Sequence, residues 1–148
     1  MKVCILLAFL GATIAAQAET AVPSATDTYR DFLIAVVKGD QDAAVKLALP
    51  NPEFAMLFSG EVPPAEIQKQ AITHLTANPY RVLKIGEVFR LPNGRTISPT
   101  EESEKKGWVI VVNQTDPLPH MLQKVDGVWK AEAGDLIAAR KAAAKAQK

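Results

Sequence analysis

The sequence predicts an α+β domain in which N-terminal helices pack on a curved antiparallel sheet and a last helix follows the strands. Three observations lead to this prediction. Apolar residues recur at helical spacing before Tyr80, and the period changes from 3.6 to 2 after it. The dipeptide Asp126-Gly127 joins two strand-like stretches by a tight turn, which suits antiparallel neighbours. Helices first, strands next and a helix last are typical of α+β rather than of alternating α/β proteins.

Capping and stop residues divide the first half of the chain into four helices. A small polar N-cap or a proline begins each helix, and glycine, proline or asparagine ends it. The predicted helices run from Ser24 and Asp27 to Lys38-Gly39, from the cap Asp40 to Leu49, through a short turn after Asn51-Pro52-Glu53, and from Pro63-Pro64 to about Thr76.

The second half is predicted to be mainly strands. Residues 81–91 alternate between two faces, with Glu87 as the one acid on an otherwise apolar face. Trp108 to Val112 is a continuous apolar run, which predicts a central strand covered on both faces. The other predicted elements are a turn at Pro92-Asn93-Gly94, a return strand over 95–97, a solvated loop or hairpin end over 98–106, a hairpin of 120–125 with 128–132, and a helix after Gly134-Asp135.

The composition is that of one ordinary globular domain. The 148 residues are 48% hydrophobic and 22% charged, with a net charge of +1 and a single cysteine. These values argue against a disulfide scaffold, a disordered chain and a dedicated nucleic-acid binder. We expect a signal peptide over 1–18, a flexible leader over 19–25 and one domain over 26–148.

The first 18 residues have the pattern of an export signal. Lys2 supplies the positive charge, the stretch from Val3 to Ala16 is apolar or small with one exception, and Ala16-Gln17-Ala18 fits the small-x-small cleavage pattern. The apolar run is shorter than the roughly 20 residues that a membrane span needs. Cys4 lies at the start of this run, whereas a lipobox cysteine follows it. The sequence therefore predicts a cysteine-free mature protein in the periplasm or outside the cell.

Two stretches resemble nuclear transport factor 2-like (cystatin-like α+β) domains. Residues 32–44, Phe-Leu-Ile-Ala-Val-Val-Lys-Gly-Asp-Gln-Asp-Ala-Ala, followed by Leu47, are similar to the paired N-terminal helices of that superfamily. Residues 125–130, Val-Asp-Gly-Val-Trp-Lys, resemble its Asp-Gly-x-Trp-Lys hairpin. The last helix departs from the common pattern, which ends on a strand. The resemblance implies a cone with a strongly bent sheet and a pocket between sheet and helices. Because members include isomerases, dehydratases and non-catalytic modules, it leaves the function open.

His74 and Glu87 are the candidates for acid–base catalysis. An imidazole titrates near neutral pH, and a carboxylate buried without a partner has a raised pKa. Each has a structural alternative: His74 at the core boundary with one nitrogen in water, and Glu87 exposed or beside a bulge at Gly86. If both side chains lined one cavity, an enzyme would be favoured. His120, at the start of a strand, is expected to be exposed.

Trp108 and Trp129 are the candidates for lining a binding pocket, and large core residues are the alternative interpretation. The two separated histidines give no recognisable metal spacing, and the surroundings of Ser59-Gly60 lack a nucleophile elbow. We therefore expect no cofactor and no metal. The basic C-terminal helix loses its apolar face to alanines, so stable membrane insertion is not expected.

The function predicted from the sequence is that of an exported binding or interaction module without catalytic activity. Its partner would be a protein or a small apolar ligand, and a second copy of the chain is a further candidate; nucleic acid is not expected. The alternative is a cofactor-free isomerase or dehydratase that uses Glu87 and His74.

We expect the exported protein to begin at Glu19, because Ala16 and Ala18 present small side chains to the signal peptidase. The intact mass of the secreted or periplasmic protein measures the position of cleavage. A mass that still includes Met1 to Ala18 would contradict the prediction.

Overall fold

The computed structural model describes residues 21–146, and it confirms the predicted α+β class. Its helices are α1 (Ala25–Lys38), α2 (Gln41–Leu47), a short 3-10 helix (Phe54–Phe58), α3 (Ala65–Ala77), α4 (Glu101–Lys105) and α5 (Gly134–Ala146). Its strands are β1 (Arg81–Val82), β2 (Phe89–Arg90), β3 (Thr96–Ile97), β4 (Trp108–Val112), β5 (His120–Val125) and β6 (Val128–Ala131).

The main sheet has the order β1-β4-β5-β6, and all of its neighbouring strands are antiparallel. The predicted central strand, Trp108–Val112, lies inside this sheet between β1 and β5. The short strands β2 and β3 form a separate hairpin, in which Phe89 pairs with Ile97. This hairpin packs Phe89 and Ile97 against a small cluster of Leu83, Ile110 and Val112. The apolar run of β4 is therefore covered on the side of the sheet that faces away from α1.

Helix α1 packs on the other side of the sheet and fills the interior there. Tyr29 and Phe32 of α1 lie with Val111 of β4 and Leu122 of β5 in one core cluster, and all four side chains are fully buried. Burying an apolar side chain of this size contributes roughly 1.5–3 kcal/mol. The space between α1 and the sheet is consequently occupied by side chains of the core.

The predicted starts of the first two helices and the predicted end of α1 are confirmed in atomic detail, whereas α2 ends at Leu47, two residues before the predicted Leu49. The Ser24 hydroxyl accepts a hydrogen bond from the Asp27 backbone N–H at 3.1 Å, and the Asp40 carboxylate accepts one from Ala43 N–H at 3.0 Å. Gly39 adopts φ +71° after α1, the left-handed conformation that glycine tolerates best. Local capping chemistry thus starts both helices where the sequence predicts.

The continuous strand predicted over 81–91 is wrong. The chain forms β1, leaves the sheet in a turn, and resumes as β2 in a different hairpin. Gly86 has φ +88°, and the Glu87 N–H donates to the Lys84 carbonyl at 3.0 Å, which closes the turn. Alternation of apolar residues does not reveal such a break, because the residues after the turn alternate again on a new strand.

The polar stretch 98–106 also differs from the solvated loop that the sequence predicts. Glu101–Lys105 form a helical turn with a capping box, since the Thr100 hydroxyl accepts from Ser103 N–H and the Ser103 hydroxyl accepts from Thr100 N–H, each at 3.1 Å. Within residues 21–146, no helix is both long and apolar enough to cross a membrane.

We expect Gly127→Val to destabilise the domain by about 1–3 kcal/mol, because it forces a β-branched residue into the left-handed region. Asp126 and Gly127 have φ +50° and +80°, as a type I′ turn requires. Nothing lies within 4 Å of a Cβ at position 127, so the cost comes from the backbone alone. Urea denaturation measures the change, and Gly127→Asn, which tolerates positive φ, is the control with a smaller loss. An unchanged midpoint for the valine variant would contradict the prediction.

Candidate functional site

A groove of about 520 Å³ lies where α3 ends, β1 begins and β4 ends. We call it the junction groove. Its walls are residues 77–81, Phe89 of β2 and residues 112–114. Arg81 and Val112 are paired across β1 and β4, so they face the same side of the sheet. The groove therefore opens beside the β2–β3 hairpin, on the side of the sheet away from the α1 core.

Asn113 connects the two walls of the junction groove. Its buried side chain donates through Nδ2 to the Asn78 carbonyl at the end of α3. Its Oδ1 accepts from the Thr115 backbone N–H at 2.7 Å and from the Thr115 hydroxyl at 2.8 Å. Because one side chain satisfies groups on both segments, the loop after β4 is held against the end of α3.

Asp116 forms a second connection directly behind the groove. Its Oδ2 accepts from Tyr80 Oη at 2.8 Å and from His120 Nε2 at 2.7 Å, and its Oδ1 accepts from Leu118 N–H at 3.0 Å. Burial raises the pKa of Asp116, but these hydrogen bonds outweigh it and hold the pKa below its usual value. An aspartate with a lowered pKa stabilises the fold above its ordinary pKa, and this contribution is lost as the pH falls through the lowered value.

His120 is buried, with 5% of its surface exposed, so the expectation that it would be exposed is wrong. It shares a face of the sheet with Val111 and Leu122, and that face packs against α1. Tyr29 stacks on the imidazole with ring centroids 4.7 Å apart. The histidine is tolerated in the core because Asp116 accepts its ring N–H.

Tyr29 and Tyr80 have contrasting hydroxyl environments. Their rings meet edge to face at 4.8 Å, and burial raises the pKa of both phenols. The hydroxyl of Tyr80 is bonded to Asp116, whereas the buried hydroxyl of Tyr29 has no hydrogen-bond partner in the described part of the chain. A buried polar group without a partner costs stability. The two tyrosines therefore form a matched pair for mutation.

His74 lies exposed on α3, at the edge of the network that Asn113 organises. Its Nδ1 is 3.3 Å from Asn78 Nδ2, and its Nε2 is 3.3 Å from the Thr115 hydroxyl. Both ring nitrogens of His74 therefore lie near polar groups of the same network.

Glu87 lies half-exposed in the turn between β1 and β2. Its carboxylate accepts from Lys84 N–H at 2.6 Å and from Arg81 Nη1 at 3.0 and 3.2 Å. The hydrogen bond from Lys84 N–H and the one from Arg81 hold the pKa of Glu87 below its usual value. A raised pKa is what a general acid near neutral pH requires, and the shift here has the opposite sign. No hydrogen bond among residues 21–146 joins Glu87 to His74 or to a residue that His74 contacts.

Trp108 and Trp129 lie on opposite faces of the sheet. Trp108 pairs with Gln123, whereas Trp129 pairs with the next residue, Lys124, and neighbouring residues of a strand point to opposite sides. Trp129 packs against the main core, and Lys124 Nζ lies 5.5 Å from the centroid of its ring. The two tryptophans consequently do not form one wall, because their partners on β5 are adjacent residues.

The cluster of Asp116, Tyr80 and His120 is not predicted from the sequence. One available signal was the alternation of β5, which puts His120 on the same side as Leu122. A histidine on the core face needs a partner, and Asp116 is the nearest preceding acid. The contribution of Tyr80 comes from another part of the chain, and no local pattern reveals it.

The described residues contain no group of three or more His, Cys, Asp or Glu side chains arranged to hold a metal ion. Comparison of the chain with protein-family models, with curated proteins and with solved structures finds no match.

We expect Tyr80→Phe to lower the free energy of unfolding at pH 7 by about 1.5–3 kcal/mol, because it removes a hydrogen bond to a charged carboxylate. Tyr29→Phe is the matched control: it removes a buried hydroxyl without a partner, so stability should be unchanged or increased. Chemical denaturation of both variants measures the difference. Equal losses in the two variants would contradict the contrast drawn between the hydroxyls.

Proposed function

We propose that the protein is an exported binding module and that the junction groove is its ligand site. One observation carries this proposal: the lining combines apolar surface with hydrogen-bonding groups and lacks the side chains of catalysis. The lining residues include no serine, cysteine, histidine or carboxylate. Tyr80 borders the groove, and its hydroxyl already donates a hydrogen bond to Asp116, behind the groove. Such a surface recognises a molecule without a nucleophile or general base to transform it.

The lining also indicates the chemistry of the ligand. Val112, Phe89 and Pro79 offer apolar contact, while Gln114 and Asn78 offer amide groups at the rim. Arg81 is the one charged residue of the lining, and its Nη1 is already bonded to Glu87. A small amphipathic molecule, neutral or with one negative charge, fits this combination of groups.

Export and membership of the nuclear transport factor 2-like superfamily belong to the same proposal. Export is supported by the charge at Lys2, the apolar run and the cleavage pattern at Ala18. The superfamily is supported by its two motifs: residues 32–44 form the junction of α1 and α2, and residues 125–130 form the turn of the β5–β6 hairpin. The fully buried side chains between α1 and the sheet favour a module that binds at the junction groove rather than in an interior cone pocket.

The enzymatic alternative has less support. It requires Glu87 and His74 to act together, but each is engaged with its own neighbours. Glu87 also has a lowered pKa, which favours the charged form that the Arg81 guanidinium stabilises. A structural role in the turn between β1 and β2 accounts for Glu87 more directly.

The test uses 8-anilinonaphthalene-1-sulfonate, an aromatic probe with one negative charge, titrated into isotopically labelled mature protein. We expect amide chemical-shift changes confined to residues 77–82, 88–90 and 111–115. Gln114→Trp, which fills the groove from its exposed rim, should weaken binding at least about tenfold. Ile67→Trp on the exposed face of α3, outside the groove lining, is the matched control and should bind as the wild type does.

Shift changes elsewhere on the domain, or equal affinity of Gln114→Trp and wild type, would contradict the proposed site. Because both variants add a tryptophan at an exposed position, a general effect of surface hydrophobicity would appear in both. The comparison holds only if each variant gives the amide spectrum of a folded protein.

A further inference from the structure

A second groove, of about 240 Å³, lies between the end of α1, the 3-10 helix and α5. We call it the α1–α5 groove. Its floor is apolar and includes Val36, Val37 and Phe58. Two side chains of opposite charge, Glu61 and Arg140, belong to its lining. The groove is separate from the junction groove, because the two share no lining residue.

Arg140 is seated in this groove by contact with the backbone. Its Nη2 approaches Gly60 so closely that a Cβ at position 60 would overlap it. The absence of a side chain at Gly60 therefore permits the guanidinium to lie against the loop. This contact places the guanidinium at the wall of the groove.

Neither charged group of the groove is used in an ion pair within residues 21–146. Arg30, Arg81 and Lys141 each have a carboxylate partner, whereas Arg140 and Glu61 have none and do not pair with each other. Two opposite charges thus border the same apolar floor. A molecule that carries both charges would complement them at once.

The end of α1 adds to the polarity of the groove. Gly39 lines it and caps the helix, donating its N–H to the Val36 carbonyl at 3.1 Å. The C-terminal end of a helix carries a partial negative charge, which favours a cation nearby. Glu61 and the end of α1 therefore both favour the positive group of a ligand, and Arg140 favours its negative group.

We propose that the α1–α5 groove binds a free α-amino acid with an apolar side chain of about the size of leucine. The carboxylate of the amino acid accepts hydrogen bonds from Arg140, its ammonium group donates to Glu61, and its side chain lies on Val36, Val37 and Phe58. The groove, at about 240 Å³, has less than half the volume of the junction groove, which favours a small molecule. This site stands independently of the proposed ligand of the junction groove.

The experiment is a titration of labelled mature protein with L-leucine, followed by amide chemical shifts. We expect saturable changes at residues 36–39, 57–63 and 137–141 below about 10 mM. Arg140→Gln should weaken leucine binding about tenfold or more, since it removes a charge-assisted pair of hydrogen bonds. Arg95→Gln, in the exposed turn of the β2–β3 hairpin, is the matched control with wild-type affinity.

Two analogues separate the roles of the charged residues. Leucinamide lacks the carboxylate, so its weaker binding should be insensitive to Arg140→Gln. The acid 4-methylpentanoate lacks the ammonium group, so its affinity should not fall in Glu61→Gln. No saturable shift with leucine, equal affinity of Arg140→Gln and wild type, or shifts confined to other parts of the domain would each overturn the proposal.

Discussion

The carboxylate of Asp116 is the group on which the arrangement of this fold most depends. It accepts hydrogen bonds from Tyr80, at the start of the sheet, from His120 in the core and from Leu118 in its own loop. Hydrogen bonds to a charged acceptor are stronger than neutral ones, and partial burial strengthens them further. A single short loop thereby joins the end of α3, the edge strand and a central strand.

The loop that carries Asp116 also contributes Asn113 and Gln114 to the junction groove. Tyr29 and Phe32 lie between α1 and the sheet, and this space is filled by packed side chains. The junction groove instead lies on the other side of the Asp116 loop, where Asn113 fixes its walls. A groove whose walls are already held in position loses little conformational entropy on binding. The same loop therefore contributes to stability through Asp116 and to the walls of the groove that we propose as a ligand site.

Much of the fold could be predicted because its signals are local. The caps Ser24 and Asp40 and the turn at Asp126-Gly127 act within a few residues, and each has the predicted conformation. The errors have a common physical origin in tertiary structure. The turn at Gly86 breaks an alternation that continues on a different strand, and His120 is buried because α1 covers its face of the sheet. Side-chain contacts across the fold, rather than periodicity, decide both.

The candidate site could be predicted less well from the sequence than the fold, because its groups come from distant segments.

Asp116 holds the α3–β1 junction and the loop after β4 together as one unit. Native-state hydrogen exchange of Asp116→Asn tests this claim most directly. We expect protection to fall together at residues 78–83 and 113–120 while it is retained in the interior of α1. Unchanged protection in these two segments, or an equal loss throughout the domain, would contradict the account.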